Sequence, residues 1–258
     1  MATFPVQRVL TIHGVLFAMA AAATMGCEQS FATPRTSADV PAKKLGLYVE
    51  ARSNGSTTQV FVELMDKHGL IPTGPEDKLS IAEAGGTEKP FVSLDHRSIA
   101  QLSTKSTTFF IILRRGPARY VSTLEMPPPF SLVTYERQDP RDNQVFFDIR
   151  WTAANAPTQM LVHCEFGSHQ YDPAPLQEGG TEPGMLSIPR RTIMDAQYGA
   201  SGRAMDGVVV TATRRGGKVV LDPELANYPH AGTLEQIRIV TAMPWHEPQR
   251  AVAGDPAP

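Results

Sequence analysis

Cysteines, an excess of positive charge and long hydrophobic runs are all scarce in this 258-residue chain. Each of these absences excludes a class of protein. Only two cysteines occur, Cys27 and Cys164, which excludes a scaffold held by several disulfides. An excess of positive charge is missing, since 24 basic residues stand against 26 acidic ones and the basic residues occur in pairs rather than clusters. A nucleic-acid partner is therefore not expected, because binding the phosphate backbone requires clustered lysine and arginine.

Long hydrophobic runs are scarce as well. The longest extends from Val9 to Ala23, about 15 residues, and is short of the roughly 20 that a helix needs to cross a hydrocarbon core. A single positive charge, Arg8, precedes this run, and small residues follow it up to Cys27. This order of charged start, apolar centre and small residues is typical of an export signal, so we predict a signal peptide over residues 1–26.

The tetrapeptide Thr24–Cys27 resembles the lipobox of bacterial lipoprotein precursors, in which a small residue precedes a cysteine that becomes the lipidated first residue of the mature chain. Gly26 and Cys27 match the pattern, whereas the family usually has leucine at the position of Thr24. The resemblance implies that Cys27 is lipidated and that the protein is attached to a membrane through this lipid.

The lipobox also implies a location in the cell envelope. In a Gram-negative organism, Glu28 after the cysteine implies sorting to the outer membrane. The alternative is ordinary signal cleavage after the alanines that end at Ala23, or after Ala32, and it would give a soluble periplasmic or secreted protein.

A flexible tether is predicted between the lipid and the folded body. Residues 28–42 have little apolar content and no periodicity, and they include Pro34 and Pro41. As a flexible coil, these residues would reach roughly 20 Å. We assign residues 27–44 to the lipidated cysteine and this tether.

Strand patterns begin at Leu45. Apolar and polar residues alternate over Leu45–Arg52 and again over Gln59–Leu64, and a period of two is typical of a β-strand with one buried face. Asn54-Gly55 lies between them and tolerates the positive φ angles of a tight turn, so we predict a hairpin. Further strands are predicted at Leu79–Ala84, Phe91–Leu94, Thr107–Arg114, Arg119–Glu125, Val145–Trp151, Met160–Phe166, Met185–Ile188, Val208–Thr213, Lys218–Leu221 and Leu234–Ala242.

The three prolines Pro127–Pro129 mark a predicted domain junction, because proline cannot donate to a sheet and favours a stiff extended chain. Short strands separated by turns predict a β-sandwich on each side. The predicted fold class is therefore all-β. Two tandem β-sandwich domains are expected at 45–126 and 127–245, followed by a disordered tail at 246–258.

The segment Val145–Phe166, VFFDIRWTAANAPTQMLVHCEF, resembles the early strands of fibronectin type III and immunoglobulin-like domains. In those domains, a strand that ends in a core tryptophan is followed by a short polar loop and a second alternating strand. The resemblance implies a sandwich for the second domain. The paired cysteines of true immunoglobulin domains are absent from the sequence, so no binding residue is carried over.

Cys164 comes closest to a catalytic pattern, because His163 precedes it and His169 follows it. Strand alternation places Cys164 among the core residues, which predicts a buried and unreactive thiol. His163 and Glu165 share the opposite face, where a surface metal site would need a third ligand that the sequence does not indicate. No phosphate-binding glycine loop and no paired Cys-x-x-Cys motifs occur. We therefore predict no catalytic residue, cofactor or metal, and Cys27 is the one modified site.

The expected function is that of a bacterial envelope lipoprotein acting as a non-catalytic binding or structural module, with an envelope protein or a polysaccharide as its partner. Two alternatives stay open: a hydrolase of envelope polymers with its site in the loops between Tyr171 and Asp206, and a carbohydrate-binding module. Asp95-His96 and Gly199–Gly202 are interpreted as loop residues. The aromatic residues that could stack on sugars or close the ends of a sandwich are Phe146, Tyr171, Tyr198, Tyr228 and Trp245.

Overall fold

The computed structural model describes residues 35–94, 97–155, 157–166, 169–172, 184–192, 207–228 and 232–242, and the fold is all-β, as predicted. In the part of the chain so described, no helix has the length and apolar character that a membrane span requires. The strands are β1 Gly46–Ser53, β2 Thr58–Asp66, β3 Gly69–Ile71, β4 Asp77–Glu83, β5 Lys89–Pro90, β6 Val92–Leu94, β7 Arg97–Leu102, β8 Thr108–Arg115, β9 Ala118–Glu125, β10 Leu132–Gln138, β11 Val145–Trp151, β12 Gln159–Phe166, β13 His169–Tyr171, β14 Met185–Pro189, β15 Val208–Arg215, β16 Lys218–Val220 and β17 Leu234–Ala242.

The predicted hairpin is formed by β1 and β2, which pair antiparallel along their length. Its turn is built by Asn54, whose Oδ1 accepts hydrogen bonds from the backbone N–H groups of Ser56 and Thr57 at 3.0 and 2.9 Å. Gly55 has a φ of +93°, a conformation that glycine adopts without steric cost. The dipeptide Asn54-Gly55 therefore sets the register of the pair.

The described strands form three sheets. A large sheet of nine strands has the order β13-β12-β15-β17-β1-β2-β7-β6, with β3 also paired to β2. A five-stranded sheet has the order β16-β9-β8-β4-β5, and a three-stranded sheet has the order β10-β11-β14. Neighbouring strands pair antiparallel except for β1 and β17, which are parallel over Ala51–Ser53 and Leu234–Gln236.

Both hydrophobic cores lie on the same face of the large sheet. Residues paired across neighbouring strands project to one side of a sheet. Ala51 of β1 pairs with Leu234 of β17. Val240 lies six residues after Leu234 and so projects to the same side of β17. Val240 pairs with Val210 of β15, which in turn pairs with Cys164 of β12. The first core, to which Ala51 belongs, is shared with the five-stranded sheet, and the second core, which contains Val210 and Cys164, is shared with the three-stranded sheet.

The large sheet contains strands from both halves of the chain. The predicted boundary between residues 126 and 127 separates most residues of the first core from those of the second, but Leu225 and Leu234 also belong to the first core. All described residues belong to one compact unit. The division into two tandem domains therefore stays a prediction.

The tether predicted over residues 27–44 differs from the structure in its last ten residues. Short 3-10 helices form at Ser37–Asp39 and Ala42–Lys44. Ser37 is fully buried and Val40 is a member of the first core. Low apolar content predicted flexibility here, but the single buried valine and a set of polar contacts hold the segment against the body.

Those polar contacts centre on Arg115 at the end of β8. Its guanidinium binds both carboxylate oxygens of Asp77 at 2.7 and 2.8 Å and donates to the backbone carbonyls of Val40 and Ser37 at 2.6 and 2.7 Å. The Ser37 hydroxyl donates to Asp77 and accepts from the backbone N–H of Gly74 at 2.6 Å. We call this arrangement the Arg115 clamp, because it joins the start of the described chain to β4 and β8.

The proline-rich junction is also held by arginines. Arg214 of β15 donates to the carbonyls of Pro128 and Pro129 at 2.9 and 3.3 Å, and Arg238 of β17 donates to the carbonyl of Phe130 at 3.1 Å. Both guanidinium groups lie over the Phe130 ring, at 4.8 and 5.3 Å from its centroid. The stiff chain that the prolines predict is therefore fixed to the large sheet between the two cores.

Candidate functional site

The face of the large sheet opposite the two cores, here called the outer face, is the broadest candidate surface. Side chains alternate between the two faces of a sheet, so the residues that lie between the core-facing ones project to the outer face. Apolar side chains remain accessible at two separate places on this face, with Leu94 of β6 57% exposed and Ile239 of β17 65% exposed. Other residues of the outer face include Tyr48, Glu50, Phe61, Glu63, Arg97, Ile99, Leu161, His163, Glu165, Thr211 and Ile237.

The most concentrated polar group on the outer face surrounds His163. In the β12–β13 hairpin, Cys164 pairs with Tyr171, so Asp172 continues the chain opposite His163. The His163 Nδ1 lies 2.5 Å from Asp172 Oδ1, and its Nε2 lies 3.2 Å from Glu165 Oε1. We call these residues the His163 cluster.

Charge at the His163 cluster is set by the two carboxylates. The hydrogen bond to Asp172 raises the pKa of His163, and the bond to Glu165 acts in the same direction, while partial burial opposes both. The cluster is consequently a cation bridging two anions over a wider range of pH than a free imidazole would allow. Its main physical effect is to tie β13 to β12.

The geometry of the His163 cluster limits its chemistry. Both ring nitrogens contact carboxylates, so a substrate or a metal ion would have to displace one of these contacts to reach the imidazole. The two carboxylates lie on opposite sides of the ring, because one contacts Nδ1 and the other Nε2. Across the described ranges, no group of three or more His, Cys, Asp or Glu side chains could hold a metal ion.

Sequence reasoning found His163 and Glu165 but missed Asp172. The missing information was the short β12–β13 hairpin, which brings a residue nine positions away to the imidazole. Gly167-Ser168, between the alternating strand and His169, is the turn signal that could have indicated it.

Cys164 lies in the second core with no exposed area, on the core face that strand alternation predicts. Burial raises the pKa of its thiol to about 12, and the negative charge of Asp172 adds to the shift. Because the thiolate is the reactive form, a thiol with this pKa is inert near neutral pH.

A pocket of about 330 Å³ opens beside β10, β11 and the ends of β15 and β17. Phe147 and Val208 provide its apolar wall, and Thr134, Glu136 and Thr241 provide polar groups at the same site. Burial raises the pKa of Glu136, and the positive charge of Arg190 opposes that shift. Its volume lies at the lower end of the range found for small-ligand pockets.

The described aromatic candidates have structural contacts. The Phe146 ring lies under the guanidinium of Arg137 at 4.8 Å, Tyr171 packs against the second core, and the Tyr228 hydroxyl donates to the carbonyl of Lys44 at 3.0 Å. The remaining sequence candidates lie outside the described residues: Cys27, Asp95-His96, Tyr198, Gly199–Gly202, Trp245 and most of the loops between Tyr171 and Asp206.

Comparison with known proteins gives no assignment: no family model matches the chain, and no curated protein matches it either.

Proposed function

We propose that this protein is a bacterial envelope lipoprotein, attached to a membrane through a lipid on Cys27, whose folded body acts as a non-catalytic binding or structural module. The observation that carries the binding role is the open outer face of the large sheet. Contiguous apolar surface is typical of sites that contact a partner, and on this face Ile237 lies two residues before Ile239 on the same side of β17. Ile239, which is 65% exposed, is the residue we assign to this contact.

The contacts that hold the start of the described chain against the body support a lipid anchor at Cys27. Arg35, the first described residue, binds Asp66 at 2.9 Å, and the Arg115 clamp fixes the residues that follow. The eight steps from Cys27 to Arg35 span at most about 28 Å when fully extended. A lipid on Cys27 would therefore hold the body close to the bilayer surface.

Replacement of Cys27 tests the anchor. We expect Cys27→Ser to move the protein from the membrane fraction to the soluble fraction, because several buried acyl chains are the only strong attachment in this proposal. Cys164→Ala is the matched control, since that cysteine is buried in the second core, and this variant should stay with the membrane. Membrane association that survives Cys27→Ser would contradict the lipid anchor.

Photo-crosslinking in cells tests the binding role. A crosslinking residue placed at Ile239 should give one dominant covalent product with an envelope protein or a polysaccharide. The matched control places the same residue at Lys78, an exposed position of β4 in the five-stranded sheet. The same products from both positions, or none from position 239, would refute the assignment of this face.

The hydrolase alternative receives no support from the His163 cluster, although Asp172 stands at the start of the loops in question. A general base needs a free nitrogen within reach of its substrate, and both nitrogens of His163 are bonded to carboxylates. A catalytic site in this region would need residues of the loops that follow Asp172.

A further inference from the structure

We propose that one edge of the large sheet, formed by Leu70, Val92 and Leu94, lies against the lipid bilayer. This inference rests on the lipid anchor proposed above and adds an orientation to it. We call these residues the apolar edge. They are 52%, 64% and 57% exposed, respectively.

The strand register aligns the apolar edge along one side of the outer face. Val92 pairs with Ile99 of β7, and Ile99 pairs with Phe61 of β2. Leu94 follows Val92 by two residues and therefore projects to the same face. Leu70 pairs with Met65, four residues along β2 from Phe61, and so shares that face as well.

The edge strand β6 has an open side. Among the described strands it pairs with β7 alone, and its residues Val92–Leu94 are all exposed. An exposed edge strand carrying two large aliphatic side chains would attract other chains if it faced water. Placed against a bilayer interface, the same side chains lose contact with water without recruiting another protein.

The chain enters the body at one end of the apolar edge. Arg35 binds Asp66 at 2.9 Å, and Asp66 pairs with Gly69, the residue before Leu70. With at most about 28 Å of extended chain between Cys27 and Arg35, a lipid on Cys27 keeps this corner within that distance of the bilayer surface.

Charge at this corner suits an anionic lipid surface. Lys67 and His68, in the turn between β2 and β3, are exposed. Among the neighbouring carboxylates, Asp66 binds Arg35, whereas Glu63 and Glu50 share Arg97, which lies 3.5 Å from each. Lysine near an anionic headgroup layer is attracted to it, and aliphatic side chains beside such a lysine insert at the interface.

Tryptophan fluorescence tests this orientation in the lipidated full-length protein. Leu94→Trp is the reporter and Ile239→Trp is the matched control, because both positions are exposed and lie on the outer face. The two lie four strand spacings apart and at opposite ends of the strands, a separation of about 30 Å. Emission from wild type, which contains two tryptophans, is subtracted.

The probes are vesicles of phosphatidylethanolamine and phosphatidylglycerol, with and without brominated acyl chains. We expect Leu94→Trp emission to shift to the blue in vesicles and to be quenched by the brominated lipid, while Ile239→Trp emission changes little. Equal quenching at both positions, or none at Leu94→Trp, would overturn the orientation.

Two controls separate this inference from the anchor and from other occupants. If Cys27→Ser releases the protein from vesicles but Leu94→Trp in the anchored protein is not quenched, the anchor stands and the apolar edge does not contact lipid. A blue shift of Leu94→Trp emission that rises with protein concentration in the absence of vesicles would assign the edge to a second copy of the chain and overturn the inference.

Discussion

Removal of the Arg115 guanidinium is expected to lower the stability of the folded chain strongly. The Asp77 side chain has no exposed area, and its carboxylate depends on Arg115 for two hydrogen bonds. Arg115→Met keeps the aliphatic stem but leaves this buried charge without its cation. Breaking a buried pair in this way costs about 3–5 kcal/mol. For a body of this size we expect Tm to fall by about 6–20 °C.

The neighbouring residue on β8 supplies the control. Arg114 lies on the opposite face of the strand and binds Glu88 at 2.8 Å, with side chains 46% and 32% exposed. Solvent screens such a pair, so Arg114→Met should change stability little. The comparison holds constant the residue type, the substitution and the strand.

Urea unfolding of the full chain carrying Cys27→Ser measures both effects. A second readout is local, because loss of the Arg115 clamp frees the backbone of residues 35–44 and should speed trypsin cleavage at Lys43-Lys44. The reasoning would be refuted if Arg115→Met and Arg114→Met reduced the free energy of unfolding equally, or if cleavage at Lys43-Lys44 were unchanged by Arg115→Met.

Two further predictions concern the β12–β13 region. The pKa of His163 is raised above its usual value of 6.5 in the folded chain, so its stabilising contribution is complete below that value and is lost as pH rises through the raised pKa. Wild type should therefore exceed His163→Gln in unfolding free energy at about pH 5.5 and lose that advantage as the pH rises from 6.5 through the raised pKa, whereas a difference that grew with pH would contradict the cluster. Because burial raises the pKa of Cys164 to about 12, a thiol reagent should label the Cys27→Ser protein only in denaturant, and rapid labelling of the folded protein would show that the second core is open.

Local patterns predict the strands well where one face is strongly apolar. The alternation of Val145, Phe147, Ile149 and Trp151 becomes β11, and three of these side chains lie in the second core. Strand β7 was missed, because two of its three core-facing residues, Ser98 and Ala100, are small and carry little apolar signal, and only Leu102 is large.

Contacts between distant residues account for most of what the sequence does not reveal. Residues 35–44 have the composition of a linker, and their order depends on Arg115, which lies 78 residues from Ser37. Alternation also identifies a strand without naming its neighbours. The pairing of β1 with β17, which unites the two halves in one sheet, has no counterpart in any local pattern.

That pairing has a consequence for how the protein is made. Because β1 is near the start of the chain and β17 near its end, one long edge of β1 has no partner during nearly all of synthesis. Such late, non-local closure slows folding and leaves an exposed strand open to mispairing. We expect chains truncated before Leu234 to aggregate during refolding, and full-length chains, in which β17 pairs with β1, to aggregate less.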